Sequence, residues 1–454
     1  MPTLPRYLPA PSITIRENFM TRMGLRSCSL VFIGCMLTVT TVDAGDWPQW
    51  RGPQGNSVST ETGLPVKWDE QTGIVWKAAL PGDGASTPAI WGNSLFLTGM
   101  DGDKLLFFKL DKRTGKVEWT REVGSGSMRR GSPKRQEHTF HNLHNLASPS
   151  PVTDGELVIV HFGNGELAAY DFAGKQLWLR NLQKEHGAYS IWWGHANSPV
   201  LWKDLVISVC MQDSLADLQK EPALSYLVAH DKRTGEQKWK VQRMTGSKGE
   251  DGDSYTTPLF HEVNGRTEMI IVGANQVDAY DPATGKQLWV LPNVRGSRTI
   301  TGPTLGHGLL FALEGKKGDL LAIRLGGNGT LDQKAVAWRQ AQSMPDTPCP
   351  VLWKDLLFLI SDDGIAQAID AKTGELKWKE RLTGTFKASP VAADGKVYFL
   401  NLAGQCTVVA ASDKFEKLAE NKLEENPSSS PAISDGCLYL RGKKSLYCIS
   451  TKAK

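Results

Sequence analysis

The feature that most constrains this chain is a two-part unit that returns eight times along its 454 residues. The first half is a small residue, a proline, an apolar stretch, a polar pair such as Asp-Gly or Lys-Asp, and a second apolar stretch. It starts at Thr87-Pro88, Ser150-Pro151, Ser198-Pro199, Thr257-Pro258, Gly302-Pro303, Cys349-Pro350, Ser389-Pro390 and Ser430-Pro431. The prolines are 63, 48, 59, 45, 47, 40 and 41 residues apart, which matches one propeller blade per unit plus variable loops. The second half is an apolar strand, an Asp-x-x-Thr-Gly turn and a strand carrying Trp. It occurs at Asp111–Trp119, Asp231–Trp239, Asp281–Trp289 and Asp370–Trp378, with degenerate versions ending at Trp178 and Trp338 and a copy near 413–418 that carries Phe415 instead. Asp opening the turn and Gly at its positive-φ position are what a tight hairpin requires. The Trp then supplies an apolar plate to pack between adjacent sheets.

The two ends of the chain are complementary. An orphan second half, Trp68-Asp-Glu-Gln-Thr-Gly73-Ile-Val-Trp76, precedes any first half, and an orphan first half over 431–450 has no second half after it. The expected fold is therefore all-β: an eight-bladed β-propeller of four-stranded blades, closed by an N-terminal strand from residues 66–80. Such closure removes the edges that an open array would expose. The 45 Gly and 24 Pro suit many short strands joined by turns. The expected organisation is a signal peptide over 1–44, a lead segment over 45–65 and the propeller over 66–454.

Residues 1–44 read as a secretory signal. Arg22 and Arg26 precede an apolar run over 30–42, and Val42-Asp43-Ala44 supplies small residues around a cleavage site. Residues before Met20 or Met23 are either an extended n-region or a mis-assigned start, and Gly34-Cys35 leaves lipid anchoring as a rival. No later run is apolar enough to span a bilayer. The chain is expected to be exported, to a periplasm or beyond. The net charge of +4 falls to about +2 without residues 1–44, which carry four Lys/Arg and two Asp/Glu. That is too weak a charge to point to nucleic acid. Five of the 7 cysteines follow the signal. If Gly442 and Lys443 centre the last hairpin, Cys437 and Cys448 face each other and an oxidising compartment would permit a disulfide; two reduced thiols are the alternative.

The repeat, small-Pro followed by Ala-x-Asp-x-x-Thr-Gly-x-x-x-Trp, resembles that of the pyrroloquinoline-quinone (PQQ) propeller family over residues 47–449. The opening Trp47-Pro-Gln-Trp-Arg-Gly-Pro53 resembles the leader of its exported bacterial members. The resemblance implies the fold and leaves function open. The family includes dehydrogenases that bind PQQ and Ca²⁺, and also cofactor-free envelope proteins such as the lipoprotein propeller of the outer-membrane β-barrel assembly machinery. Family dehydrogenases commonly hold the quinone against a disulfide of adjacent cysteines. This chain has no Cys-Cys pair and no Cys-x-x-Cys-His.

In a propeller the segments leading into the innermost strands share one face around the channel, so their polar residues form the candidate ligand site. They are Asp83; His141, His144 and Asn145; Trp192, Trp193, His195 and Asn197; Asp251, Asp253 and Tyr255; Arg295, Arg298 and Thr301; Asp346; Lys387; and Asn426 with Ser428. Arginines suit carboxylates, and Trp faces suit stacking. His138-x-x-His141-x-x-His144 has the density of a transition-metal site with His195, although imidazoles in such loops also serve simply to bond backbone. His144 or His195 acting as a base would need a nucleophile or cofactor beside it. Two long insertions offer binding loops: 124–144, with Arg129, Arg130, Lys134 and Arg135, and 211–226, where Asp213 to Lys220 reads as a short helix. The leading expectation is a non-catalytic scaffold that binds an envelope protein, peptide or glycan without a cofactor. A PQQ- and Ca²⁺-dependent oxidoreductase acting on alcohols or sugars comes second, and a polysaccharide hydrolase or lyase built on the histidines third.

Overall fold

In each repeat the two middle strands are apolar because both of their faces are covered. Ser94–Asp101 is buried except at Asp101, and Val158–His161 is buried throughout. Outer strands alternate instead: Val117–Ser125 and Gln237–Gln242 expose every other residue along most of their length. Continuous burial marks a sheet sandwiched between two others, and alternation marks one wet face. The computed structural model describes residues 45–130, 138–139, 143–212, 224–427 and 429–451. They form eight antiparallel blades of four strands. Blade 8 takes Ala432–Ser434, Cys437–Arg441 and Ser445–Ser450 from the C-terminal end and Ile74–Ala79 from the N-terminal end. Ile74 pairs with Ile449 and Ala79 with Ser445, so the N-terminal strand closes the ring. Arg441 reinforces the seam: buried in blade 8, it donates to the carbonyls of Ser86 and Thr98 in blade 1 at 3.0 and 2.8 Å. Burial drops its pKa to about 9.

Two devices written into the repeat join the blades. In the first, the indole N–H of one blade's Trp donates to a backbone carbonyl in the next blade's turn. Trp76 bonds Lys112, Trp178 bonds Lys232, Trp338 bonds Ala371 and Trp378 bonds Ser412, all at 2.9–3.1 Å. The Gly of that turn is required twice over. Gly115 has φ 73°, and a Cβ there would lie 2.5 Å from the Trp76 ring. In the second device, the small residue before most of the prolines is a side-chain acceptor for the preceding blade. The amides of Thr87, Ser150, Cys349 and Ser389 donate to the side chains of Ser150, Ser198, Ser389 and Ser430, each at 3.0 Å. These bonds line much of the channel's circumference.

Blades 4 to 6 depart from the pattern. Gly302 has no hydroxyl to offer, and Trp289 donates to Glu268 of its own blade at 2.9 Å. Blade 5 lacks the Asp-x-x-Thr-Gly turn, and Gly329–Thr330 instead pairs in parallel with Gln287–Pro292 of blade 4. The lead segment takes over part of the joining. Trp47 and Ile90 exchange backbone bonds in blade 1, Pro48 accepts from Thr153 in blade 2, and Ser57 and Ser59 bond Ala392 in blade 7. Arg51 is 1% exposed. It donates to the Pro303 carbonyl (2.6 Å), Thr304 Oγ1 (2.7 Å) and the Pro350 carbonyl (2.8 Å), tying blade 5 to blade 6. Residues 45–65 therefore cross one end of the channel.

The last hairpin corrects one expectation. Gly442 N–H bonds Ser445, so the turn centres on Lys443 and Lys444. Cys437 consequently faces Ser450, and Cys448 faces Tyr439. The cysteines lie diagonally across the strands as free thiols. The expected signal segment, the helix over 213–220 and residues 131–137 and 140–142 of the basic loop lie outside the described residues.

Candidate functional site

The eight lead-in segments converge on a cavity of about 750 Å³ at the mouth of the channel. Trp50 of the lead segment lies at its base, where the ring would come within 3.3 Å of any Cβ on Gly302, so the funnel has an aromatic floor. Of the expected site residues, His144, Asn145, Trp193, Arg298 and Lys387 line the cavity, together with Asp83 and Tyr255.

Others are turned into the wall. Gly194 and Ala196 face the cavity, while His195 and Asn197 between and beyond them are buried. His195 packs on His161 and stacks on Tyr189, with centroids 4.6 and 4.7 Å apart, and burial holds its pKa far below that of a free imidazole. It therefore has no access to a ligand as a base. Asn197 donates to the Thr256 carbonyl at 2.7 Å and braces blade 3 on blade 4. Asp253 is fully buried and accepts from the backbone N–H of Trp192 at 3.1 Å. Arg295 is exposed outside the cavity. His141, Ser428 and the side chain of His138 lie outside the described residues.

The charges of the mouth are balanced among themselves. Arg298 donates to Glu250 at 2.7 Å and to Asp346 at 2.8 Å, with its guanidinium 5.6 Å over the Trp193 ring. The Trp193 indole also donates to Glu250, at 3.2 Å. Asp362 accepts from Lys387 at 2.5 Å and from Thr347 Oγ1 at 2.7 Å. Burial opposes the charge on Glu250 and on Asp362, but these hydrogen bonds outweigh it and hold both pKa values below the ordinary range. Burial pushes Asp346 the other way, upward. This network follows the mouth across blades 4 to 7. Apolar side chains line the rest of the cavity among polar ones: Met100, Met128, Leu143, Leu400 and Leu402 lie beside Asn145, Ser148, Asn401 and Ser429, with Leu143 46% exposed. The sequence reading assigned the apolar residues and Trp50 no site role. The leader motif around Trp50 was the one signal available for it.

The fold has known relatives. BamB of Moraxella catarrhalis superposes with TM-score 0.58 at 14% identity, covering 83% of this chain and 99% of that one. The quinohemoprotein alcohol dehydrogenase of Comamonas testosteroni gives 0.66 at 14% identity, over 90% and 81%. A curated relative, outer membrane protein assembly factor BamB of Alteromonas naphthalenivorans, is 33% identical over 93 residues, 20% of this chain and 22% of the relative. The alignment thus spans about a fifth of that protein's length. No helix among the described residues is long and apolar enough to cross a membrane. The family model for outer membrane protein assembly factor BamB matches residues 51–220, 223–380 and 328–449, and the chain belongs to that family.

Proposed function

We propose that this chain is a cofactor-free envelope scaffold whose funnel grips a short amphipathic segment of a partner protein. The observation that carries the reading is the mixed mouth: apolar side chains, Leu143 exposed among them, beside cations whose charges are already paired. A ligand bringing both apolar side chains and backbone amides uses both, and methionines adapt to varied partners. The cavity is in the size range of binding pockets, ~300–1,000 Å³. Family membership supports an exported, envelope-associated chain with a protein partner.

The lining residues fit PQQ and Ca²⁺ poorly. The quinone is a tricarboxylate, yet Arg298 and Lys387 are already engaged by carboxylates. Ca²⁺ takes six to eight oxygen ligands, and Asp83 is the one carboxylate among the described lining residues. Trp50 and Trp193 are the aromatic faces on which a quinone would stack.

A photocrosslinking amino acid placed at Leu143 tests the reading, with one at Leu376, on the exposed outer strand of blade 6, as the control. The expected result is a discrete protein adduct in the cell envelope from position 143 alone. No adduct, or equal adducts from both positions, overturns the proposal. So does a quinone absorbance band with alcohol- or aldose-dependent dye reduction after incubation with PQQ and Ca²⁺.

A further inference from the structure

His230 lies in the third strand of blade 3, Tyr226–Asp231, and is fully buried. Neither of its ring nitrogens has a hydrogen-bond partner. Buried polar groups are nearly always bonded, so an orphaned imidazole requires an explanation. A second orphan faces it. His186 ends the short helix Leu182–His186 that leaves blade 2; its Nε2 is buried without a partner, and its ring stands edge-on to Tyr226 at 5.1 Å. Glu185 precedes it on the same turn. One ligating atom from each of the three lies within 4.8 Å of the other two, the only such trio among the described residues.

We propose that Glu185, His186 and His230 form a site for a divalent transition metal of the zinc class, clasping blade 2 to blade 3. Two imidazoles and a carboxylate suit such an ion and disfavour Ca²⁺ or Mg²⁺, which prefer oxygen. Metal–ligand bonds of 2.0–2.1 Å in tetrahedral geometry place ligands about 3.4 Å apart, so the trio must draw in by up to about 1.4 Å. His230 is fixed in its sheet. His186 and Glu185 sit on a single helical turn that ends at Gly187, and they supply the movement. Glu185 is partly open to solvent, which leaves the fourth position to water. Its present partner is Arg180, 3.1 Å away in a partly exposed pair that contributes little. Arg180 and Lys240, whose ammonium lies 4.8 Å over the Tyr226 ring, are the cations that face the site. Burial keeps both imidazoles neutral near pH 7, so the ion displaces no proton from them.

Zinc titration of the chelator-treated full chain by calorimetry tests the site, with Co²⁺ absorption reporting coordination. One equivalent is expected, with a raised thermal midpoint. His186→Ala should weaken binding about 100-fold or more, beyond what outer-shell changes cause. Glu185→Gln, on the surface, should also weaken it, and serves if His230→Ala fails to fold. Binding that survives His186→Ala, or that disappears only in His138→Ala/His141→Ala, overturns the proposal, as does a wild-type chain that takes up no zinc.

Discussion

The interface between blades 6 and 7 and the arc of blades 4 to 6 solve one problem with different parts. Between blades 6 and 7, Trp378 reaches the Ser412 carbonyl and packs edge-on against Phe415 at 5.2 Å, while the Cys349 amide bonds Ser389 Oγ. Both bonds come from the repeat. Between blades 4 and 5, Trp289 turns inward to Glu268 and Gly302 cannot accept a bond, so a parallel strand pairing stands in for the Trp dock. Between blades 5 and 6, where Trp338 keeps its bond to Ala371 and the Gly302 amide bonds Cys349 Sγ, a residue outside every repeat, Arg51, adds a further clasp. The difference teaches that the repeat is self-sufficient where it is complete, and that a degenerate copy survives by borrowing from the lead segment. The freedom gained at 302 is what admits Trp50 to the funnel.

The largest effect should come from Arg51→Ala. It leaves the buried Pro303 carbonyl and the Ser57 and Thr304 hydroxyls without their arginine donor, at ~1–3 kcal/mol each, while Pro350 keeps Thr304 Oγ1 as a donor. We expect a loss of about 3 kcal/mol or more in guanidinium unfolding; a loss under about 1 kcal/mol would show that blades 5 and 6 hold together unaided. Acid separates the regions next. Neither arc contains a buried histidine, whereas blades 2 and 3 hold His161, His195 and His230. Burial depresses His161 to about 3 and His230 to about 4. Between pH 6.5 and those values the unfolded chain binds protons that the folded chain does not. Their stabilisation is thus complete above pH 6.5 and falls as pH drops through the window, by about 3–5 kcal/mol per histidine across it. Hydrogen exchange at pH 4.5 should show blades 2 and 3 opening before blades 6 and 7; the reverse order would break the distinction. The smallest effect is at the channel hydroxyls. Ser389→Ala should cost about 1 kcal/mol. Gly302→Ser should be unfavourable beside Trp50 but neutral or better in Trp50→Ala, a sign change that a double-mutant cycle would detect.

Ring, blade number and closing strand were legible because they follow from counting: eight small-Pro starts, and one unmatched half at each end. The role of the small residue was not. Ser, Thr and Cys share small size, but only the structure reveals that their side chains accept from the preceding blade. The site was half legible for a related reason. Its lead-in segments are irregular, so no two-residue alternation told which side chains turn inward; Gly194 and Ala196 reach the cavity while His195 enters the wall. In the last hairpin, moving the turn centre by one residue replaced a facing pair of cysteines with a diagonal one, since register follows turn geometry. The His186–His230 juxtaposition joins residues 44 positions apart in different blades, and no local spacing announces it.

The closing strand also dictates a schedule. Residues 74–79 are made long before their partners at 445–450. Throughout synthesis an unpaired edge waits for a mate at the greatest sequence distance that the fold contains, and such long-range pairing is slow. A nascent chain halted before residue 445 would carry seven finished blades and two open rims, each a template for sticking to another chain. Residues 445–450 therefore act as a completion mark for the ring, and a quality-control protease that attacks loose strand edges would sort closed rings from open ones without reading anything else.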